Sequence, residues 1–221
     1  MDFVSSIVQY QSSTAGRDSI CRLLQYTAKL ISHLLTKENS QNDLIKRLKQ
    51  CESVLSTSRK TFRIGKSVDM IEGAMKARAI DDPVLKALII ASRLCRAVYF
   101  YYDMLAWAVK ASILTGDEKK MTLKSAPFWF WAVLASLLRD IYELILEYNS
   151  KLNKNKNFLQ SLKNRPELLC DTLKNFADLH VVLQFWGEVD ISQGTVGFCG
   201  MISSFIGIFQ ILRPELKLSP I

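Results

Sequence analysis

Four cations, Arg59, Lys60, Arg63 and Lys66, fall within eight consecutive residues. At the helical advance of about 100° per residue they share one arc. Leu55, Phe62, Ile64, Val68, Ile71 and Met75 occupy the opposite one. Cations facing one way and acyl-compatible side chains the other is a pattern that binds anionic lipid. A Lys or Arg near an anionic leaflet contributes about 1 kcal/mol, and full burial of a Leu, Ile, Val or Phe side chain about 1.5–3 kcal/mol. The spacing predicts one helix from Val54 to Ile80, kept narrow by Ser56, Ser58, Gly65, Ser67, Gly73 and Ala74. Such a helix, inserted at the headgroup boundary, enlarges one leaflet and favours positive curvature. Asp69 and Glu72 project toward the apolar arc and oppose this reading. The same pattern also fits a surface helix lying on a protein core, or one that docks in a partner's groove.

The remaining reactive residues do not assemble into a catalytic set. His33 and His180 are isolated imidazoles in sequence, and each reads as structural. Asp103 sits among aromatic residues, where it can pair with a nearby Arg or serve as an intramembrane carboxylate. Arg139-Asp140 reads as a local pair. The five cysteines, Cys21, Cys51, Cys95, Cys170 and Cys199, form no CxxC pair and have no zinc-type spacing, so they read as reduced, buried thiols. Gly194, Gly197 and Gly200 do not make a dinucleotide fingerprint, because no strand precedes them and the spacing differs. No enzyme activity, metal or cofactor is expected.

The elements that would position these residues are helical throughout. Leu23, Leu24, Thr27, Ile31, Leu34 and Leu35 recur at one-face spacing. Thr36 to Asp43 is a polar break, after which Leu44, Leu48, Cys51 and Leu55 restart a stripe. Asp81-Asp82-Pro83 marks a boundary, since Pro suits the first turn of a helix. This divides the chain into a basic amphipathic region, 1–82, expected in the cytosol, and a membrane-associated region, 83–221. In the second region Thr115 to Lys124 reads as a charged loop and Lys151 to Asn157 as a linker, and Leu168, Leu169, Thr172, Leu173 and Phe176 make a further stripe.

Two stretches bear on a bilayer. Ala126 to Leu138 offers 13 uncharged residues, fewer than the roughly 20 that a span requires. Ile191 to Leu212 offers 22, ending at Arg213 and Lys217, and is the transmembrane candidate. Its flanking cations predict a cytosolic C-terminus. Within it Gly197, Gly200, Ser203, Ser204 and Gly207 form small-xxx-small spacings suited to helix packing and oligomerisation. A buried hairpin of a soluble protein is the alternative. The fold class expected is all-α: a helical membrane protein with an amphipathic N-terminal region and one or two C-terminal membrane segments.

Charge supports this division. The chain carries 29 Lys+Arg against 21 Asp+Glu, and residues 1–80 hold 13 of the bases and 7 of the acids. An electropositive surface attracts polyanions. Nucleic acid would leave the 22-residue uncharged stretch unexplained, so anionic membrane lipid is the expected partner. Met1 to Arg17 lacks the charged n-region and apolar h-region of a secretory signal. The C-terminal Leu-Ser-Pro-Ile is not a Ser-Lys-Leu address.

Several motifs resemble those of a known family. Gly16-Arg17-Asp18, followed by Gln25-Tyr26-Thr27, resembles the N-terminal signature of the peroxisomal membrane elongation factors, eleventh among the peroxins, of the animal alpha and beta type. The run from Ser56 to Gly65 is similar to their S-x-x-R-K-x-F-R-L-G element, and Arg96, Tyr99, Phe100, Asp103 and Trp107 to their central block. Leu138-Arg139-Asp140-Ile141-Tyr142-Glu143 and Asp171-Thr172-Leu173-Lys174-Asn175 match two further elements. The resemblance implies a peroxisomal membrane protein with cytosolic termini that self-associates and remodels its membrane before fission. It also implies contact with a dynamin-related GTPase and fission adaptors. A metabolite channel and a helical scaffold for fission machinery are the alternatives. The linker before Phe158 is shorter than the family's.

Overall fold

The computed structural model describes residues 8, 10–38, 42–152 and 165–218, and every regular element among them is helical. In chain order these are α1 (Thr14–Lys37), α2 (Asn42–Phe62), α3 (Lys66–Lys76), α4 (Pro83–Lys110), α5 (Glu118–Leu152), α6 (Pro166–Trp186) and α7 (Gln193–Leu212). Short 3-10 turns follow α3 at Ala77–Ala79 and α7 at Pro214–Leu216.

Local chemistry sets most of the boundaries. The Ser13 hydroxyl accepts the Gly16 N–H and caps α1, and the Ser192 hydroxyl accepts the Thr195 N–H and caps α7. Asp82 accepts the N–H groups of Val84 and Leu85 while Pro83 opens α4, so the expected boundary falls at a helix start. Gly187 ends α6 in the left-handed region.

Two expected segments take a different form. The single helix predicted from Val54 to Ile80 is broken: α2 stops at Phe62, residues 63–65 turn, and α3 begins at Lys66. The break sits at Gly65, whose φ of 84° only glycine adopts without strain. The 13-residue stretch Ala126 to Leu138 is the middle of the 35-residue α5, which carries Pro127 within it. The expected charged loop is shorter than predicted, because α5 begins at Glu118 after Asp117 accepts the N–H groups of Lys119 and Lys120. The proposed linker from Lys151 lies outside the described residues from 153 onward.

The tertiary arrangement is a ring. α1 packs on α2 and α7, α7 on α6, α6 on α5, and α5 on α4, and a thin contact between α2 and α4 closes the circuit. α3 lies against α4. Among the described residues no pair of opposed helix backbones meets across the middle. The α1–α7 seam is close because of glycine. A Cβ on Gly197 would come within 2.8 Å of the Leu30 backbone, and one on Gly200 within 2.3 Å of the Tyr26 ring. The Gly194 position would meet the His33 ring in the same way, which gives His33 a packing role. Of the small residues expected to pack helices, Gly197 and Gly200 therefore meet α1 of the same chain, Ser203 and Ser204 are buried, and a Cβ on Gly207 would point into open space.

The ring exposes large apolar side chains and, beside a core of mostly small apolar residues, buries charged and polar ones. Outward-facing and exposed are Leu24, Ile31 and Leu34 on α1, Leu138, Ile141 and Ile145 on α5, Leu169, Leu173 and Phe176 on α6, and Phe198, Phe205 and Phe209 on α7. Buried polar groups include Gln25, Arg63, Asp103, Asp140, Glu143, Asn175, Asp178 and Gln210. Large exposed apolar patches mark a membrane or a partner, and buried charge requires pairing. Among the described residues α7 is the one helix long and apolar enough to cross a membrane.

Candidate functional site: a polar lumen inside the ring

The ring encloses a cavity of about 1400 Å³ whose wall includes 13 Lys and Arg side chains against six Asp and Glu. Two ion networks border it, the second extending behind its wall to Asp140, Glu143 and Arg165. On the α1–α2 side a single carboxylate, Asp18, receives Arg59 Nε at 3.0 Å, Arg63 Nε at 3.9 Å and Lys66 Nζ at 3.8 Å. Arg59 also donates to Gln25 Oε1 (2.7 Å), and Arg63 donates to the Tyr99 hydroxyl (2.9 Å) and pairs with Asp103 at 3.0 Å. Lys60 reaches Glu118 at the start of α5 (3.4 Å). Burial alone would raise the Asp18 carboxyl, but Arg59, Arg63 and Lys66 outweigh it and hold it below the usual carboxylate range. Burial pushes the Lys66 ammonium down, Asp18 acting against that and the nearby Arg63 and Arg59 adding to it.

The α5–α6 side has the opposite stoichiometry. Arg139 bonds Asp140 (2.6 Å) and Asp171 and lies 3.9 Å from Glu143. Asn175 donates to Asp140 (2.7 Å), Gln210 donates to Asp171 (3.1 Å), and Arg165 pairs with Glu143 (2.9 Å). Arg139-Asp140 is thus a local pair, as its adjacency predicts. Arg22 on α1 links the two sides through Asp178 on α6, which also accepts the Ser203 hydroxyl.

The structure separates the two arcs of the expected lipid-binding helix, but with the basic one inward. Arg59, Lys60, Arg63 and Lys66, expected among lipid phosphates, are engaged with the protein's own carboxylates across the lumen. Ile64, Val68, Ile71 and Met75 form the exposed face, at 45, 68, 46 and 54%. Leu55 and Phe62 are half-buried on α2, apart from that stripe. Asp69 and Glu72 are exposed on α3, and Glu72 pairs with Lys76 at 2.6 Å. Of the Gly16-Arg17-Asp18 signature, Gly16 is wedged where a Cβ would strike the Tyr10 carbonyl at 2.0 Å, and Arg17 donates to the Gln11 carbonyl (2.8 Å). Asp18 is the hub described above.

Sequence reasoning missed the inward roles of Arg22, Arg96, Lys174 and Asp178. The signal was available: on α4 the lumen-lining Ser92, Arg96, Tyr99 and Asp103 recur at helical spacing within an otherwise apolar segment. Charges on one face of an apolar helix point to an interior or a water-filled cavity.

The family described as peroxisomal biogenesis factor 11 (PEX11) matches residues 4–212, and the chain belongs to that family. It is similar to peroxisomal membrane protein 11B of Homo sapiens, 29% identical over 255 aligned positions that cover 96% of this chain and 98% of the relative. Peroxisomal membrane protein 11A of Rattus norvegicus is 28% identical, covering 97% and 99%. The peroxisomal membrane protein 11 homolog of Dictyostelium discoideum is 25% identical, covering 95% and 94%. No solved structure matches the chain. The protein is a peroxisomal membrane protein of a biogenesis-factor family, not of a known enzyme family.

Proposed function

We propose that the protein elongates the peroxisomal membrane ahead of fission by inserting the apolar stripe of α3 into one leaflet. One observation carries the reading: Val68, Ile71 and Met75, spaced as one face of α3, and Ile64 in the turn before it stand exposed. The stripe meets acyl chains without any rearrangement of the ring. Arg59, Arg63 and Lys66 fasten the α2–α3 turn to Asp18 and α4, so that the stripe is presented by a rigid support. Anionic lipid is then met by the exposed cations at the end of this segment, Lys76 and Arg78. In this reading the termini face the cytosol, and the protein acts with further copies of itself, a dynamin-related GTPase and fission adaptors.

The full chain in vesicles of anionic lipid at low salt is expected to draw them into tubules. The pair Val68→Glu and Ile71→Glu, on exposed positions, is expected to abolish tubulation while leaving the helical content unchanged. Tubulation by the double variant equal to that of the parent would remove this mechanism.

A second reading, a passage for metabolites, is favoured by the lumen itself. Reconstituted vesicles that release a small solute, and do so less when Asp103→Asn breaks its pair with Arg63, support it. Vesicles that stay sealed at all protein densities defeat it.

A further inference from the structure

Among the described residues seven of the 13 cations that line the cavity have a carboxylate within ion-pair distance, and Lys49, Lys119 and Lys217, which have none, are exposed. Arg22 has Asp178, Arg59 and Lys66 have Asp18, Lys60 has Glu118, Arg63 has Asp103, and Arg139 has Asp140 and Asp171. Arg96 and Lys174 differ. Among the described residues Arg96 has one bond, from Nη2 to the Ser136 hydroxyl at 3.2 Å, and its Nε is shielded from solvent with no partner. Lys174 donates to the neutral Gln210 side chain at 2.9 Å and, among the described residues, has no carboxylate within ion-pair distance. The two lie close enough to repel one another. The nearest carboxylates are already engaged, Asp171 by Arg139 and Gln210, and Asp178 by Arg22 and Ser203.

A guanidinium cannot shed its proton in a protein, and an interior cation without a counter-charge is costly. A buried polar group left without a partner calls for a specific explanation. Arg93, one helical turn before Arg96, adds a third cation with no ion pair among the described residues, its guanidinium resting against Gly73 at the rim of the cavity. The wall between these residues also offers the hydroxyls of Ser92 and Ser136, which bond one another at 2.8 Å.

We propose that Arg96 and Lys174, with Arg93 at the rim, form a binding site for a phosphate group inside the ring. Three cations match a dianion better than a single carboxylate, and the arginine fork fits phosphate oxygens in pairs. The phosphate can be carried by a soluble phosphate or phosphate ester, or by a lipid headgroup entering between helices. This site rests on the lumen alone and stands or falls separately from insertion of the α3 stripe.

The test uses the full chain in nanodiscs of phosphatidylcholine. Inorganic phosphate is added in one arm, and phosphatidic acid replaces a minor fraction of the lipid in the other. Equilibrium binding and thermal unfolding are both read. Binding of inorganic phosphate assigns the site to soluble ligands; binding of phosphatidic acid alone assigns it to headgroups. In whichever arm binds, Arg96→Gln and Lys174→Gln are each expected to weaken affinity roughly tenfold or more, while Arg47→Gln, exposed on α2 and outside the cavity wall, leaves it unchanged. Without ligand, Arg96→Gln is expected to unfold at the same or a higher temperature than the parent, because it removes an uncompensated interior charge. The proposal is overturned if neither arm binds, if Arg96→Gln binds as tightly as the parent, or if Arg96→Gln without ligand unfolds at a lower temperature.

Discussion

The two ion networks of the lumen are built on opposite ratios. On the α1–α2 side one acid, Asp18, holds Arg59, Arg63 and Lys66. On the α5–α6 side one base, Arg139, holds Asp140 and Asp171 and stands beside Glu143. Each network alone is charge-unbalanced, and between them Arg22 on α1 pairs with Asp178 on α6. The difference teaches that the electropositive N-terminal region is not simply a polyanion-attracting surface. Part of its charge is turned inward and complements acids contributed by the other half of the chain.

The sharpest way to break the comparison is at the acid-rich side. Arg139→Met leaves Asp140, which is 0% exposed, with Asn175 as its remaining partner. Loss of one partner from a buried pair costs about 3–5 kcal/mol. Denaturant unfolding of the purified protein in micelles is expected to show a loss of that size. On the base-rich side the cost is smaller, because Arg59 keeps Gln25 and Arg63 keeps Asp103 and Tyr99 when Asp18 is removed. Asp18→Asn is therefore expected to lose about 1–3 kcal/mol, the penalty of leaving partly served polar groups in the interior. Equal losses from the two variants would show that the two sides are not organised as their ratios imply.

Much of this fold is legible in the sequence, and the reason it is not all legible is physical. Helical spacing alone locates the stripes of α1 and α6, and the uncharged run from Ile191 to Leu212 locates α7 to within two residues of its observed start at Gln193. Ser13, Asp82-Pro83 and Ser192 act where such residues ordinarily act. Periodicity, however, only divides a helix into two faces; it does not say which one is inside. That is decided by partners distant in the chain. Arg59 finds Asp18 at a separation of 41 residues, and Lys60 finds Glu118 at 58. The same four cations read as a lipid-facing arc until those acids are placed. The turn at Gly65 was present as a glycine among small residues, and only its left-handed backbone distinguishes it from the others.

Acid sharpens the comparison without a mutation. The Asp18 carboxyl titrates below its value in the unfolded chain, which is about 3.9. The stability it supplies is complete above that unfolded value and disappears as pH falls through the lower folded one. Unfolding followed by circular dichroism between pH 5 and pH 2, a range set roughly by that linkage, is expected to show a stability loss in the parent. The share of it that Asp18→Asn no longer shows belongs to this carboxylate. A variant that loses as much as the parent over the same range would assign the acid sensitivity to other groups.

The smallest expected effect falls on α3, and its smallness is informative. Val68, at 68% exposure, and Ile71, at 46%, touch little of the ring. Substitution at such surface positions ordinarily changes stability by less than about 0.5 kcal/mol, so Val68→Glu in micelles is expected to unfold with the parent. A helix that packs its apolar side on a core behaves otherwise, since a carboxylate there would be buried without a partner and would cost several-fold more. Stability and membrane deformation should therefore separate: Arg139→Met weakens the fold with the α3 stripe intact, and Val68→Glu weakens tubulation with the fold intact. If Val68→Glu instead destabilises the protein in micelles as much as Asp18→Asn does, the stripe is part of the protein's own packing, and the lumen is left as the functional feature of the ring.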